Sequence, residues 1–329
     1  MKDSADIRKV NLYKIRSMLW KGQWKTKQQI ALETGLSVAT CNTLLNDLAH
    51  TGEVVSEKVR LHDVGPGALQ YRINEVYESI LCVWFERSKG QDVLVQYVLA
   101  PTGKILFQER SEQEALTPSL LQEEIEKRMN AIPNISSIMI GTPSVAEAGV
   151  ICHCDIPALN NYSILSDLAQ KYTVPVYLEN DMHFKAFGYA KMHGTGAGVV
   201  TVTNFPRHVL PGAATAHDGM VIKGQNQFAG MVGFLPYEVD RETLLEQLKP
   251  DTCRPYVSKA IVSLISVLNP EVIVLSGEIL DESCPQWVYE DCLRWIPKDY
   301  MPELIYLEDL DACFLEGMYR KALEQKGVF

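Results

Sequence analysis

The stretch TKQQIALETGLSVATCNTLLNDL, residues 26–48, leaves this part of the chain few ways to fold. Thr26 and Gln29 have the spacing of a capping box, in which a hydroxyl and an amide satisfy each other's backbone N–H at a helix start. Gly35 is suited to the left-handed residue that ends a helix. Ser37, two residues on, can cap a second helix. In that second helix Val38, Cys41, Leu44, Leu45 and Leu48 fall on one stripe. The other face carries Ala39, Thr40, Asn42, Thr43 and Asn46, small polar residues of a size to reach base edges in a major groove. A helix, a glycine turn and a second helix make a helix-turn-helix. Upstream, residues 7–20 predict a helix with Ile7, Val10, Tyr13, Met18 and Leu19 toward one side. Downstream, Val54, Val55 and Val59, the turn Gly65-Pro66-Gly67, and alternating Leu69, Tyr71 and Ile73 predict a β-hairpin wing. Double-stranded DNA is the expected partner, with Thr26, Ser37, Ala39, Thr40, Asn42, Thr43 and Asn46 as candidate contacts. A small helical protein-interaction domain is the alternative.

Charge divides the chain in the same place. Residues 1–74 hold 11 Lys+Arg and 7 Asp+Glu, a balance of +4. The rest holds 31 − 11 = 20 basic and 41 − 7 = 34 acidic residues, a balance of −14. A mildly basic head on an acidic body fits a DNA-binding module joined to something else. No apolar run approaches the ~18–20 residues that span a bilayer, and no signal-peptide core opens the chain. The eight cysteines are scattered, which suits reduced thiols and a cytoplasmic protein without membrane partners.

Beyond residue 75 short strands and helices alternate. Strands are predicted at Ile80–Phe85, Val93–Leu99 and Ile105–Phe107. Pro118 opens a helix bearing Leu121, Ile125 and Met129. SSIMIG, VPVYLEN, GVVTVT and PEVIVLSG read as strands. YSILSDLAQKY, DMHFKAFGYAKM, SKAIVSLISVLN and LEDLDACFLEGMYRKALEQ read as helices. Such alternation argues an α/β architecture with largely parallel sheets. The expected division is 1–74 for the winged head, 75–188 for a first lobe and 189–308 for a second, with the helix 309–326 packing back on the first.

Four stretches carry a resemblance to the ROK family of repressors and sugar kinases: the head, IMIGTPSVAEAGVI, VPVYLENDMHFKAFGYA and LNPEVIVLSGEIL. The third resembles the family segment P-V-x-(V/L)-E-N-D-x-N-x-A-A-x-(A/G). The resemblance implies a winged helix-turn-helix followed by two ribonuclease-H-like, actin/sugar-kinase-like lobes around a cleft, assembled as a homodimer or homotetramer. It implies Asn180 as a sugar contact and Asp181 as the base that takes the proton of a sugar hydroxyl. Either residue could instead cap the helix that begins there.

The kinase parts depart from the family pattern. The D-x-G-G-T phosphate turn is not found in SILCVWFERSKGQDV, where Trp84 and Phe85 stand near the turn. GTGAG at 194–198 precedes a strand where the family's second phosphate loop follows one, and NFPRHVLPG after that strand brings Pro206 and Arg207. Met231 replaces the sugar-binding Glu, Phe234 replaces the His that would bind zinc and sugar, and the family's cysteine cluster is missing. Ser276 replaces one glycine beside the nucleotide. In CHC at 152–154, strand alternation points His153 away from Cys152 and Cys154. Phosphoryl transfer depends on phosphate-gripping loops. The chain is therefore expected to be a DNA-binding regulator, a repressor, with a catalytically inactive body, no metal and no cofactor, possessing a cleft for a sugar or related effector. Asp181 is catalytic only under the alternative, an active ATP-dependent sugar kinase with a fused DNA-binding head. Phe228, Phe234 and Trp84 are the bulky side chains that could fill the cleft.

Overall fold

A computed structural model of the chain describes residues 4–59, 68–88, 90–194 and 198–326. In the head, α1 (Ser4–Leu19) is followed by β1 (Lys25–Thr26), α2 (Lys27–Thr34) and α3 (Val38–His50), then β2 (Val54–Val59) and β3 (Ala68–Ile73). The caps determine the boundaries. The Thr26 N–H donates to Gln29 Oε1 at 2.8 Å while Thr26 Oγ1 accepts from the Gln29 N–H. Gly35 ends α2 at φ 69°, and Ser37 Oγ accepts from the Thr40 N–H at 3.1 Å. β1, β3 and β2 form an antiparallel sheet in that order, with Val54 opposite Ile73 and Val59 opposite Ala68. The Gly65-Pro66-Gly67 turn lies outside the described residues.

The buried face of α1 includes Leu19 as expected but otherwise differs from expectation. Ile15 and Leu19 are fully buried against Ile30, Cys41, Leu45 and Tyr71, whereas Ile7, Val10 and Tyr13 are exposed. Leu12, Ile15 and Leu19 form a second apolar row at i, i+3, i+7 spacing, on nearly the opposite side of the helix. Packing selects that row, and the Arg16–Glu53 fork (2.6 and 2.8 Å) locks it to the start of β2. On α3 Cys41, Leu44, Leu45 and Leu48 are buried and Val38 is exposed.

The first sheet of the body contains β4 (Ser79–Ser88), β5 (Gln91–Leu99), β6 (Ile105–Gln113), β7 (Ile135–Thr142) after α4 (Pro118–Ala131), and a later strand described below. β4, β5 and β6 form an antiparallel meander, and β7 is parallel to β4. Both faces of β4 are covered, so the strand is apolar almost throughout. Leu81, Val83 and Phe85 face the side packed by Leu121 and Ile125 of α4. Ile80, Cys82 and Trp84 face the other. Trp84 stacks on Tyr97 and packs at a tilt against Phe314 in that core, so neither it nor Phe85 stands in the cleft. A small hairpin, β8 (Val145–Glu147) and β9 (Val150–Cys152), precedes α5 (Ile164–Lys171). β10 (Val176–Asn180) then adds parallel to β7 and runs without a break into α6 (Asp181–His193). Gly194 caps α6 at φ 60°; residues 195–197 of the GTGAG run lie outside the described residues.

The second sheet has β11 (Val199–Asn204), β12 (Gly212–His217) and β13 (Met220–Val221) as an antiparallel meander. After α7 (Arg241–Gln247) and α8 (Arg254–Leu268) comes β14 (Val272–Leu275), parallel to β11. After α9 (Cys284–Cys292) comes β15 (Glu303–Tyr306), parallel to β14. The strand orders are β10-β7-β4-β5-β6 and β13-β12-β11-β14-β15. Renumbered by appearance, each sheet is 3-2-1-4-5 with the first three strands antiparallel, the ribonuclease-H-like order repeated.

α6 lies between the two sheets. Phe184 enters the core of the first, while Met182, Ala186 and Tyr189 enter that of the second. The final helix, α10 (Asp311–Gln325), crosses α6 backbone to backbone. A Cβ on Gly188 would lie 1.8 Å from Cys313 O, and one on Gly317 would lie 2.0 Å from Phe184 O. Only glycine permits that approach. The result is a fixed spine whose Asp181 end opens into the cleft. Among the described residues no helix is long and apolar enough to cross a membrane.

Candidate functional site

Two surfaces bring chemistry-bearing residues together: the outward face of α3 and the cleft between the sheets. On α3, Ser37, Ala39, Thr43 and Asn46 are exposed, and Thr40 and Asn42 are half-buried. Asn42 Oδ1 accepts a hydrogen bond from Lys27 Nζ, which ties the face to the first turn of α2. Thr26 departs from the set. It is 8% exposed and its hydroxyl is committed to the capping box, so contact with DNA through that oxygen would uncap α2.

The cleft holds a cavity of about 490 Å³ beside the N-terminus of α6. Asn180 is the helix cap. Its Oδ1 accepts from the N–H groups of Met182 (2.9 Å) and His183 (3.3 Å), and its Nδ2 donates to Ser144 O at 3.1 Å. Asp181, the next residue, points into the cavity and is paired with Lys185 one turn on, Oδ2 to Nζ 2.6 Å. Lys185 is buried, and burial alone would pull its pKa down. The carboxylates of Asp181, Glu86 and Asp311 outweigh burial and hold it above the ordinary lysine value. The ammonium therefore stays charged on Asp181. A general base needs a free lone pair aimed at its proton, and one oxygen of Asp181 is already occupied.

Behind Asp181, Glu179 takes two donors, His183 Nδ1 at 2.7 Å and Lys223 Nζ. An ionised carboxylate only accepts, so Nδ1 carries the proton. Burial pushes the Glu179 pKa up, but these two hydrogen bonds more than reverse it, leaving the carboxyl below its usual range.

The neighbouring half of the cleft lies where the ends of β4, β11 and β14 converge. Among the described residues its lining has carboxylates at Glu86, Asp155, Asp181, Glu278, Glu308, Asp309 and Asp311, against cations at Arg87, Arg110 and Lys185, a formal balance of 3 − 7 = −4. Burial, then Asp181, raises the pKa of Asp155; burial, then Glu86, raises that of Asp311. The two lobes are joined across this half, where Ser88 Oγ donates to Glu278 Oε1 at 2.9 Å. Gly277, at φ +122°, has Phe205 O only 2.3 Å from where a Cβ would sit, and Ser276 is buried beside it. Pro206 lines both halves of the cleft.

The CHC run is not a strand. β9 ends at Cys152, and His153 adopts φ +54° and lines the cavity, so strand alternation does not govern where it points. Among the described residues no group of three or more His, Cys, Asp or Glu side chains could hold a metal ion.

No family model matches the chain. Over 238 residues it is 23% identical to the xylose repressor of Caldicellulosiruptor bescii, an alignment that takes in 69% of this chain and 58% of that one. The solved structure of a ROK family transcriptional regulator, a homologue of the Escherichia coli MLC protein, superposes on 98% of this chain and 99% of its own. The TM-score is 0.68 and the identity 15%. The chain has the ROK fold. A ROK hexokinase from Thermus thermophilus shares it over 75% of this chain and 99% of its own, with TM-score 0.59 and 17% identity. The regulator matches nearly the whole chain, head included, while the kinase matches three quarters of it.

Against the ROK segment E-N-D-x-N-x-A-A, His183 stands at the second Asn and Lys185 at the first of the paired alanines. The alanine-to-lysine change puts the counter-ion on Asp181. The i, i+4 spacing of Asp181 and Lys185 is a signal that sequence reading could have used. Phe228 and Phe234 line the cavity edge to face with ring centroids 5.1 Å apart, and Met231 lines it too. Arg241, which lies over Phe234, had no local sequence signal.

Proposed function

We propose that the chain is a DNA-binding transcriptional repressor whose kinase-like body does not transfer phosphate and instead reads a small metabolite in the interlobe cleft. The observation that carries the DNA half is the α3 face. Ser37, Ala39, Thr43 and Asn46 are exposed on the second helix of a capped helix-turn-helix, with an antiparallel wing beside it. The similarity to a xylose repressor and to a ROK regulator supports the same reading. A homodimer would present two heads to a two-fold site.

Charge argues against phosphoryl transfer. Catalysis of that reaction rests on neutralising phosphate oxygens, and among the described residues the half of the cleft that would take them has a formal balance of −4. Asp181, the residue matched to the family's base, is held by Lys185. The remaining cavity is of a size for one sugar-like molecule. Such a molecule acts as an effector only if it binds one arrangement of the heads better than another.

Mobility shifts with DNA from the chain's own promoter region test the first part. Saturable binding is expected, weakening steeply as salt rises, and its absence would refute the DNA reading. A coupled ADP assay across a sugar panel tests the second. Sugar-dependent ADP release that disappears in Asp181→Asn would establish the kinase alternative.

A further inference from the structure

The cavity has two chemically different ends. Asp155 and Asp181 line both it and the acidic half of the cleft, whereas Phe228, Phe234 and Arg241 line the cavity alone. Among the described residues Arg241 is the only lysine or arginine in its lining. The guanidinium carbon sits 4.4 Å from the Phe234 ring centroid. Among the described residues no carboxylate pairs with Arg241, and this ring is its one specific contact. Phe234 thus occupies the position of the family's zinc- and sugar-binding histidine and carries a cation in place of a metal ligand.

A guanidinium stacked on a ring keeps its in-plane N–H groups free. They match the two oxygens of a carboxylate, and the stacking limits the rotamer freedom lost on binding. Phe228 and Phe234 offer an apolar surface to the C–H face of a sugar ring. At the far end the carboxyl oxygens of Asp155 and Asp181 are available as acceptors for hydroxyl donors. The charge on Asp181 is balanced by Lys185. A phosphate ester at that end would meet the acidic half, and at the Arg241 end its two charges would face one guanidinium, which balances a single carboxylate.

Given the reading of the cleft as an effector site, we infer that its ligand is a sugar acid of the uronate or aldonate class. Its carboxylate lies on Arg241, its apolar face on Phe234 and Phe228, and its hydroxyls on Asp181 and Asp155.

Calorimetric titration of the full chain with glucuronate, galacturonate and gluconate, set against glucose, xylose and glucose 6-phosphate, tests this. The acids should bind about tenfold or more tightly than the matched neutral sugars, as one charge-assisted fork implies. Arg241→Gln should remove that preference, and Arg241→Lys, which keeps the charge without the fork, should retain part of it. Because Arg241 is exposed, both variants are expected to fold, which thermal melting checks. Equal or tighter binding of neutral sugar, preference for the phosphate ester, or an unchanged acid-to-neutral ratio in Arg241→Gln would overturn the inference while leaving the effector reading standing. Binding of none of these compounds by protein that still binds its promoter would overturn both.

Discussion

Replacing Lys185 by methionine tests the ion pair that holds Asp181, on which the proposed loss of phosphoryl transfer turns. Methionine keeps most of the apolar stem, whose ammonium now lies 5.2 Å from the Phe314 ring centroid, and removes only the charge. An ion pair near a protein surface gains roughly 4 kcal/mol at 4 Å in an effective dielectric of 20, and losing one partner of a buried pair costs about 3–5 kcal/mol. Asp181 opens on a cavity and its side chain is 14% exposed, so water recovers part of that loss and about 2–3 kcal/mol is expected. Removing both charges with Asp181→Asn in the same chain should recover most of it, since no uncompensated ion is left. Denaturant midpoints of the wild type, both single variants and the double variant close the cycle. A Lys185→Met cost below ~0.5 kcal/mol, or a double variant equal to the sum of the singles, would refute the pairing argument. The same variant addresses function. It frees Asp181 but leaves Glu86, Asp309 and Asp311 in the acidic half of the cleft, so sugar-dependent ADP release should remain at background.

Asn46→Ala on the exposed face of α3 should weaken operator binding by about 1–3 kcal/mol and relax base preference at one position, whereas a lost phosphate contact would weaken all sequences alike; selection from a randomised site separates the two. Gly317→Ala places a methyl 2.0 Å from Phe184 O. Backbone on both sides cannot yield, so a cost of about 3 kcal/mol or more should appear as a sharply lowered melting temperature. The Glu179 carboxyl, held below its usual range by His183 and Lys223 despite burial, contributes stability that is complete above the unfolded value of about 4.3 and disappears as pH falls through the folded one. Glu179→Gln should therefore flatten the loss of stability below about pH 5 in acid titrations followed by circular dichroism.

Local signals could be read wherever a few neighbouring residues decide the outcome. Thr26, Gln29, Gly35 and Ser37 set the ends of two helices because caps act within one turn. Asn180 at the β10–α6 junction shows the same rule, with the cap and the proposed ligand contact falling on one side chain. Segments without such signals went unread. β12 is GAATAH, with little strand propensity of its own, and it exists because β11 pairs with it along its length. α9 and β15 likewise lacked a pattern strong enough to separate them from loop.

By themselves the residues pointed to the helix-turn-helix head, most strands and helices of an α/β body and the helix start at Asn180; the two-lobe plan and the place of Asp181 in a cleft came from the resemblance to the ROK family. The elements themselves follow from periodicity and caps, which act over a few residues. Tertiary structure decided which of two apolar rows on α1 is buried, sent Trp84 into the core, and laid Arg241 over Phe234. It also gathered Glu86, Asp155, Glu278 and Asp311 around one point of the cleft. Charge density at a point sums over residues distant along the chain, and only the fold sets those distances.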